Sequence, residues 1–474
     1  MTKEKLRRIL IVTFAIVVIV ISGFRLLAGE QFEYRDSRFN IVASSTADSN
    51  TGEASSDTII EQRFINKIDR LKGISIQCTT HYRTNYGVIN IGVYNNGTLL
   101  FDESFKVSSI KENEPIVVES NEYLEDLTGK ELTIVITSTS VHGEAVSPLV
   151  CKTSQNGTSL KVNDRYLEGS LLFSAYGQEY IFTGQYYWYM AFAIWIVVAI
   201  LLFVTYRQFC NGRSNYVVLA IEAISRYKFL ISQLVARDFK SKYKRSVLGI
   251  FWSFLNPLLT MTVQYFVFST FFVSDTKNYL VYLLVGVVCY NFFNEATTMC
   301  LTSISGNARL ITKVYIPKYI FPFSRTISSM VNLGISLIPL LLVSLITGLV
   351  LQKSAILIFY FLACLVVFAL GVGMFLATLM VFFRDIQFLW SVLSMIWMYA
   401  TPIFYPASII PEKYSFIIDF NPLYHFIKNV RMCLIDGVSP GPRSYIFCFI
   451  FAIGSLLIGS YVFKKQQDKF TLYL

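Results

Sequence analysis

Charge is scarce and histidine nearly absent. Asp, Glu, Lys and Arg supply 15% of the 474 residues, well below the roughly 25% of a soluble domain. A chain this poor in charge has too little polar surface to be solvated along its whole length. The three histidines, His81, His142 and His425, are scattered. They offer no clustered acid–base or metal site. The eight cysteines form no Cys-x-x-Cys pair and no Cys/His metal spacing, so no metal centre is expected. No Gly-x-x-x-x-Gly-Lys-Ser/Thr loop occurs, and the nearest Gly-Lys, Gly129-Lys130, lies in a polar region. Nothing here cradles nucleotide phosphates, and the chain is expected to bind no cofactor of its own.

Apolar residues are abundant, at 54%, with 40 Phe and 29 Tyr, a composition suited to lipid contact and interfacial belts. A membrane helix needs about 20 mainly apolar residues. Candidate spans run at about Ile9–Leu27, Tyr186–Thr205, Phe251–Val273, Tyr279–Thr298, Phe321–Val350, Ala355–Phe382, Phe388–Phe404 and Tyr445–Phe463, about eight in all. The first follows Lys3, Lys5, Arg7 and Arg8 and precedes a poor cleavage site, Leu27-Ala28-Gly29-Glu30. It reads as an uncleaved anchor rather than a signal peptide. Arg25 near its outer end can snorkel.

The net charge of +10 points to membrane rather than nucleic acid, because the basic residues gather between spans. With the N-terminus inside, Arg207, Arg226, Arg237, Lys240, Lys242 and Lys244 fall on the cytoplasmic side. So do Arg309, Lys313, Lys318, Arg384 and the tail Lys464, Lys465 and Lys469. The short opposite loops carry only Lys277 and Lys353. Excess Lys and Arg mark cytoplasmic loops and meet anionic lipid. Both termini are therefore expected inside, and the segment between the first two spans outside.

That outer segment changes character along its length. Residues 1–29 are the anchor, and 30–57, including ASSTADSNTGEASSD, read as a flexible linker. Residues 58–184 read as an extracellular β-sandwich-like domain. It opens on a short helical pattern, with Ile60, Phe64, Ile68 and Leu71 on one face. Strand alternation follows. Val88–Tyr94 meets Thr98–Phe101 across Asn95-Asn96-Gly97, a hairpin signal. Glu131–Thr137 is another strand, and Asn156-Gly157 a second hairpin tip. Both Asn-Gly-Thr triplets match the glycosylation acceptor pattern, though the turn reading suffices for each. Cys78 and Cys151 share this region, where a disulfide can form if geometry permits. The other six cysteines lie in or beside apolar segments, as inert buried thiols.

Residues 185–206 form the next span and 207–250 a cytoplasmic segment. Within it, Ala223–Ser246 is an amphipathic interface helix. Ile224, Tyr227, Ile231 and Leu234 line one face, and Gln233, Arg237, Lys240 and Lys244 another. A basic helix of this kind lies in the headgroup layer.

The stretch Leu234-Val235-Ala236-Arg237-Asp238-Phe239-Lys240-Ser241-Lys242-Tyr243-Lys244-Arg245-Ser246-Val247-Leu248-Gly249, with Trp252 and Asn256-Pro257-Leu258, resembles the opening of ABC-2 permeases. The closest likeness is to the subfamily exporting O-antigen and teichoic acid polymers. Asn307–Pro317, NARLITKVYIP, resembles that family's cytoplasmic loop after its second span. Phe383-Arg384-Asp385 resembles the loop after the fourth. Pro402, Tyr405-Pro406, Pro411 and Asn421-Pro422 resemble the outer loop before the last. The likeness covers about 220–474, so 251–474 is expected to be a six-helix permease domain. The anchor, β domain and extra span inherit nothing from it.

The resemblance implies a permease homodimer bound to two cytoplasmic ATPases, which use ATP and Mg, in the bacterial cytoplasmic membrane. It implies an exported substrate that is a lipid-linked glycan or teichoic acid precursor. Arg237, Lys240 and Lys244 would form the entrance for its pyrophosphate. Asn307, Arg309, Leu310, Lys313 and Pro317 would form the coupling loop on the ATPase. Tyr265, Tyr290, Trp390 and Trp397 would offer aromatic faces to sugar rings in the channel. Tyr405–Leu434 reads as short re-entrant helices at the exit. The alternatives are an ABC-2 exporter of drugs or small lipids, and a membrane enzyme such as a glycosyltransferase. The enzyme would need paired carboxylates. Asp238 and Asp385, each beside arginine, read as structural instead.

Overall fold

The computed structural model describes residues 3–29, 32–40, 47–112, 114–152, 158–211, 216–244, 246–272, 278–314 and 316–473. Two units result, one of residues 33–186 and one joining 1–32 to 187–474.

The smaller unit is all antiparallel. Its strands are β1 (Tyr34–Asn40), β2 (Ser49–Asn50), β3 (Ile60–Ile65), β4 (Arg70–Thr79), β5 (Val88–Asn95), β6 (Thr98–Lys106) and β7 (Pro115–Leu124). They continue as β8 (Glu131–Ser138), β9 (Ser147–Cys151), β10 (Ser159–Val162), β11 (Arg165–Leu167), β12 (Ser170–Leu171) and β13 (Phe173–Tyr180). One sheet runs β1-β13-β4-β9-β12, with β2 on β9 and β7 on β4. The other runs β11-β10-β3-β8-β5-β6. Ile60, Phe64, Ile91 and Ile134 of one sheet and Ile74, Ile76, Val118 and Phe173 of the other share one buried core. This is the predicted sandwich. At the β5–β6 hairpin, Asn96 and Gly97 both take positive φ, 46° and 81°, the backbone that a two-residue hairpin turn demands. Asn156-Gly157 lies outside the described residues.

Two readings are corrected here. The helical face of Ile60, Phe64, Ile68 and Leu71 is instead extended chain, with Ile60 and Phe64 in β3, Ile68 in the connection and Leu71 in β4. A four-residue spacing suits period 2 as well as period 3.6. The residues between, Gln62 and Asn66, are fully buried, completing a strand alternation that polar identity concealed. Both are satisfied: Gln62 Nε2 donates to Ser159 O at 3.2 Å, and Asn66 Nδ2 to Leu127 O at 3.2 Å. The stretch read as a linker supplies β1, paired along its whole length with β13, and β2, paired with β9. Its Ala54 is buried in the core.

Cys78 and Cys151 are not joined to each other. Cys78 pairs across with Pro148, so Cys151 sits three positions further along the neighbouring strand, roughly 10 Å away at 3.3 Å per residue. An odd offset also puts the two on opposite sheet faces. Cys78 faces the main core, whereas Cys151 packs with Leu172. No disulfide spans that separation.

The larger unit is helical. Six of its described helices are long and apolar enough to cross a membrane: Lys3–Leu27, Tyr187–Cys210, Tyr279–Leu301, Ile320–Ile346, Lys353–Phe382 and Pro442–Tyr473. Their outer surfaces expose residues such as Val20, Phe203, Ile338 and Phe449, the apolar face that lipid requires. Helices also form at the other two predicted spans, Phe251–Phe272 and Ile386–Ala400. The first contains Asn256, Pro257 and Gln264. The second has 15 residues and a length of roughly 22 Å, short of a 30 Å hydrocarbon core. It stops before Pro402, which holds Thr401 extended (φ −100°, ψ 130°). The permease helices are numbered one to six: Phe251–Phe272, Tyr279–Leu301, Ile320–Ile346, Ile358–Phe382, Ile386–Ala400 and Pro442–Gln466.

Close backbone approach binds helices four and six. A Cβ on Gly459 would lie 2.0 Å from Gly371 O, so only glycine permits this crossing.

Candidate functional site

The interface helix spans Tyr216–Tyr243, so Lys244 falls just beyond its end. Of the four predicted apolar positions, Tyr227, Ile231 and Leu234 pack with Ile304, Ile311, Phe321 and Phe463. The side chain of Ile224 lies outside the described residues. This face is seated on protein rather than lying free in headgroups. Gln233, Lys240 and Lys244 are exposed.

Arg237 behaves differently from its lysine neighbours. Its Nη1 donates to Asn307 Oδ1 at 3.0 Å, and its Nη2 lies 3.3 Å from Asp238 Oδ1. The Asp238 side chain is 3% exposed and pairs with Arg325 Nη1 at 2.9 Å. Ser328 Oγ donates to its other oxygen at 3.2 Å. A buried carboxylate is tolerable only with such partners. Asn307 in turn donates through Nδ2 to Ser303 O at 2.7 Å. The predicted entrance and the predicted coupling loop therefore meet at one hydrogen bond.

The predicted coupling loop forms a short helix, Ala308–Lys313. Ile311 and Leu310 turn toward the cluster beneath the interface helix, while Arg309 and Lys313 are exposed. Asn307 is buried and Pro317 half-buried where the chain turns into helix three.

A polar stripe runs along helix three at four-residue spacing: Ser324, Ser328, Asn332 and Ser336. Its upper part borders a cavity of about 260 Å³ between the interface helix and helices one to three. Glu295 of helix two sits on its wall, paired with Lys242 Nζ at 2.8 Å and accepting from Asn332 Nδ2 at 2.6 Å. Tyr243 Oη donates to Asn332 Oδ1 at 3.2 Å and also bonds Ser253. The sequence reading passed over Glu295 and Asn332. The available signal was a carboxylate inside an apolar run, which by default marks function.

Three of the four aromatics, Tyr290, Trp390 and Trp397, are brought together, but as packing, and Tyr265 sits apart from them. Trp390 and Trp397 flank Phe293 at 6.2 and 5.2 Å, and lie 6.5 Å from each other. Trp397 Nε1 donates to Asn421 Oδ1 at 2.9 Å, and Tyr290 Oη to Ser394 O at 2.5 Å. Tyr265 lies 6.2 Å from Tyr279. Within one chain Tyr290, Trp390 and Trp397 belong to the seam of helices two, four and five with the loop before helix six, and Tyr265 to the packing of helix one on helix two.

That outer loop folds into short helices, the longest Pro422–Arg431 capped by Asn421, followed by a π-turn at Met432–Asp436. Arg431 is buried. Its guanidinium lies 3.3 Å from the centre of the Tyr282 ring. It donates to Tyr282 O at 3.0 and 3.1 Å, Pro402 O at 2.7 Å and Ile403 O at 2.9 Å. One fork thus ties the loop to helix two and to the end of helix five. No sequence pattern singled it out.

Apolar helices, an amphipathic interface helix docked on a short loop helix, and a helical outer loop together define a polytopic membrane permease. Residues 230–435 match the family model for the ABC-2 type transporter. The chain is 32% identical over 244 residues to the O-antigen export system permease protein RfbA of Klebsiella pneumoniae, covering 51% of this chain and 93% of that protein. A protein of the same name from Myxococcus xanthus is 26% identical over 252 residues, 53% of this chain and 97% of that one. The capsule polysaccharide export inner-membrane protein CtrC of Neisseria meningitidis serogroup A is 22% identical over 215 residues, 44% and 81%. The chain belongs to the polysaccharide-export subfamily of ABC-2 permeases. Its β unit, 33–186, lies outside the family match.

Proposed function

We propose that this chain is the membrane-spanning subunit of an ATP-driven exporter of lipid-linked polysaccharide, working as a homodimer with two copies of a separate cytoplasmic ATPase that uses ATP and Mg. Both termini face the cytoplasm, and the β unit faces outward. The observation that carries this reading is the joint between the interface helix and the coupling helix. Arg237 of the first holds Asn307 at the base of the second, and Arg309 and Lys313 face outward beside it. An exposed basic helix rigidly tied to the entrance helix is what a soluble motor needs as a lever. Lys240 and Lys244, with the free edge of Arg237, supply cations at headgroup depth for a diphosphate.

Co-expression with a partner ATPase tests this. Arg309→Glu with Lys313→Glu should uncouple hydrolysis from export while the spans still assemble. Unchanged export at equal expression would remove this helix from the coupling role. Arg237→Lys keeps the charge but loses the fork, so it should lower substrate-stimulated hydrolysis and leave the basal rate. A silent Arg237→Lys with a silent Lys240→Gln would leave an ordinary lipid anchor.

A further inference from the structure

The cavity among the interface helix and helices one to three is a feature that the export reading does not use. Its volume, about 260 Å³, falls just under the roughly 300–1,000 Å³ of small-molecule sites. That suits one or two rings and not a length of polymer. Val288, Asn291, Phe292 and Glu295 reach it from helix two at i, i+3, i+4 and i+7, one face of one helix. Trp252 and Asn256 approach from helix one, and Asn332 from helix three.

The chemistry of the wall selects its occupant. Lys242 is spent on Glu295 at 2.8 Å, so the wall carries no net cation for a phosphate, and the carboxylate repels one. An apolar molecule would strip water from Glu295, Asn291 and Asn332 without replacing its hydrogen bonds. What remains is a neutral molecule rich in hydroxyls. The Asn291 side chain lines the cavity and makes no hydrogen bond within the described residues, so both its donor and its acceptor are available. Glu295 accepts. Trp252, 44% exposed, offers an indole face to the C–H side of a sugar ring.

We infer that this cavity is a binding site for a sugar of the substrate, the one next to the diphosphate. The inference rests on the export reading above. Lys240 and Tyr243 stand at i and i+3 on the interface helix and are neighbours on its surface, and Tyr243 lines the cavity. A diphosphate held at Arg237 and Lys240 therefore leaves its first sugar at the cavity mouth. Glu295, Asn291 and Asn332 would then distinguish a glycosylated lipid from a bare one before transport begins.

The test uses the full chain with its ATPase in lipid nanodiscs. Two probes are compared, polyprenyl diphosphate and polyprenyl-diphosphoryl-N-acetylhexosamine. Wild type should bind the glycosylated probe about tenfold more tightly, since a site built for hydroxyls discriminates strongly against their loss. Asn291→Leu removes no bond within the protein, so it should fold normally. It should erase the preference while leaving affinity for the bare diphosphate unchanged, and Trp252→Leu should do the same. Equal affinities in wild type, or a preference surviving both variants, would overturn the inference and leave the export reading intact. Binding of neither probe by wild type would overturn that reading, and the sugar site with it.

Discussion

Arg325→Met is the sharpest probe of how the interface helix is held. Asp238 is 3% exposed at its side chain and keeps Arg325 at 2.9 Å, Arg237 at 3.3 Å and Ser328 at 3.2 Å. Removing one partner of a buried pair costs about 3–5 kcal/mol, chiefly because the other charge is stranded. Arg237 remains nearby but is half-exposed, which puts the cost near the lower end, about 3 kcal/mol. For a permease unit of this size that is a fall in Tm of roughly 6 °C, at about 2 °C per kcal/mol. Asp238→Asn alone should cost less, since two half-exposed or solvent-reaching cations tolerate its loss better than a stranded anion does. The double variant should recover most of the loss, with a coupling energy of about 2 kcal/mol or more. Thermal unfolding in detergent, with wild type, both singles and the double, reads all four corners. Additive losses would refute the pairing argument and mean that each side chain acts through something else.

Three further outcomes follow from other parts of the molecule. Gly459→Val should wedge helices four and six apart, because a Cβ there meets Gly371 O at 2.0 Å; wild-type yield and stability of the variant would show the crossing to be looser than described. Arg431→Lys should destabilise the outer loop despite keeping the charge, losing at least one charge-assisted bond at about 1.5–3 kcal/mol; faster proteolysis at 405–421 measures it, and wild-type resistance would contradict it. In the β unit, Thr80 donates from its hydroxyl and its N–H to Glu112 at 2.5 and 2.6 Å, which holds that carboxyl below its ordinary value of 4.5. Ser37 does the same for Glu179. A lowered folded pKa means stability present above pH 4.5 and lost as pH falls through the folded value. Acid titration of residues 33–186 should therefore show falling Tm below about pH 4.5, and Glu112→Gln should flatten that limb.

Much of this protein was legible because its membrane signals are long. Apolar runs of twenty residues, basic loops between them and an Asn-Gly turn between strands are local patterns, set by chain chemistry over a few residues each. They located helices at the eight predicted spans, the β5–β6 hairpin and the interface helix. Where a pattern satisfied two periods, as at Ile60, Phe64 and Ile68, the local reading chose wrongly. Burial of Gln62 and Asn66 decides between the periods, and burial is a property of the folded sandwich. A stretch of small polar residues likewise looks like a linker until a distant strand, β9, offers it hydrogen bonds.

The site divides along the same line. Arg237, Lys240 and Asn307 were singled out by motif and charge. That Arg237 grips Asn307, that Asp238 is shared by Arg237 and Arg325, and that Glu295 meets Lys242 across 53 positions came only from the packed helices. So did the separation of Cys78 from Cys151, which strand register imposes. Sequence determined which segments enter the membrane and which helix is basic, because hydropathy and charge act over one element at a time. Tertiary structure decided which polar side chains find partners, because a buried charge is held by groups that only folding brings within hydrogen-bond reach.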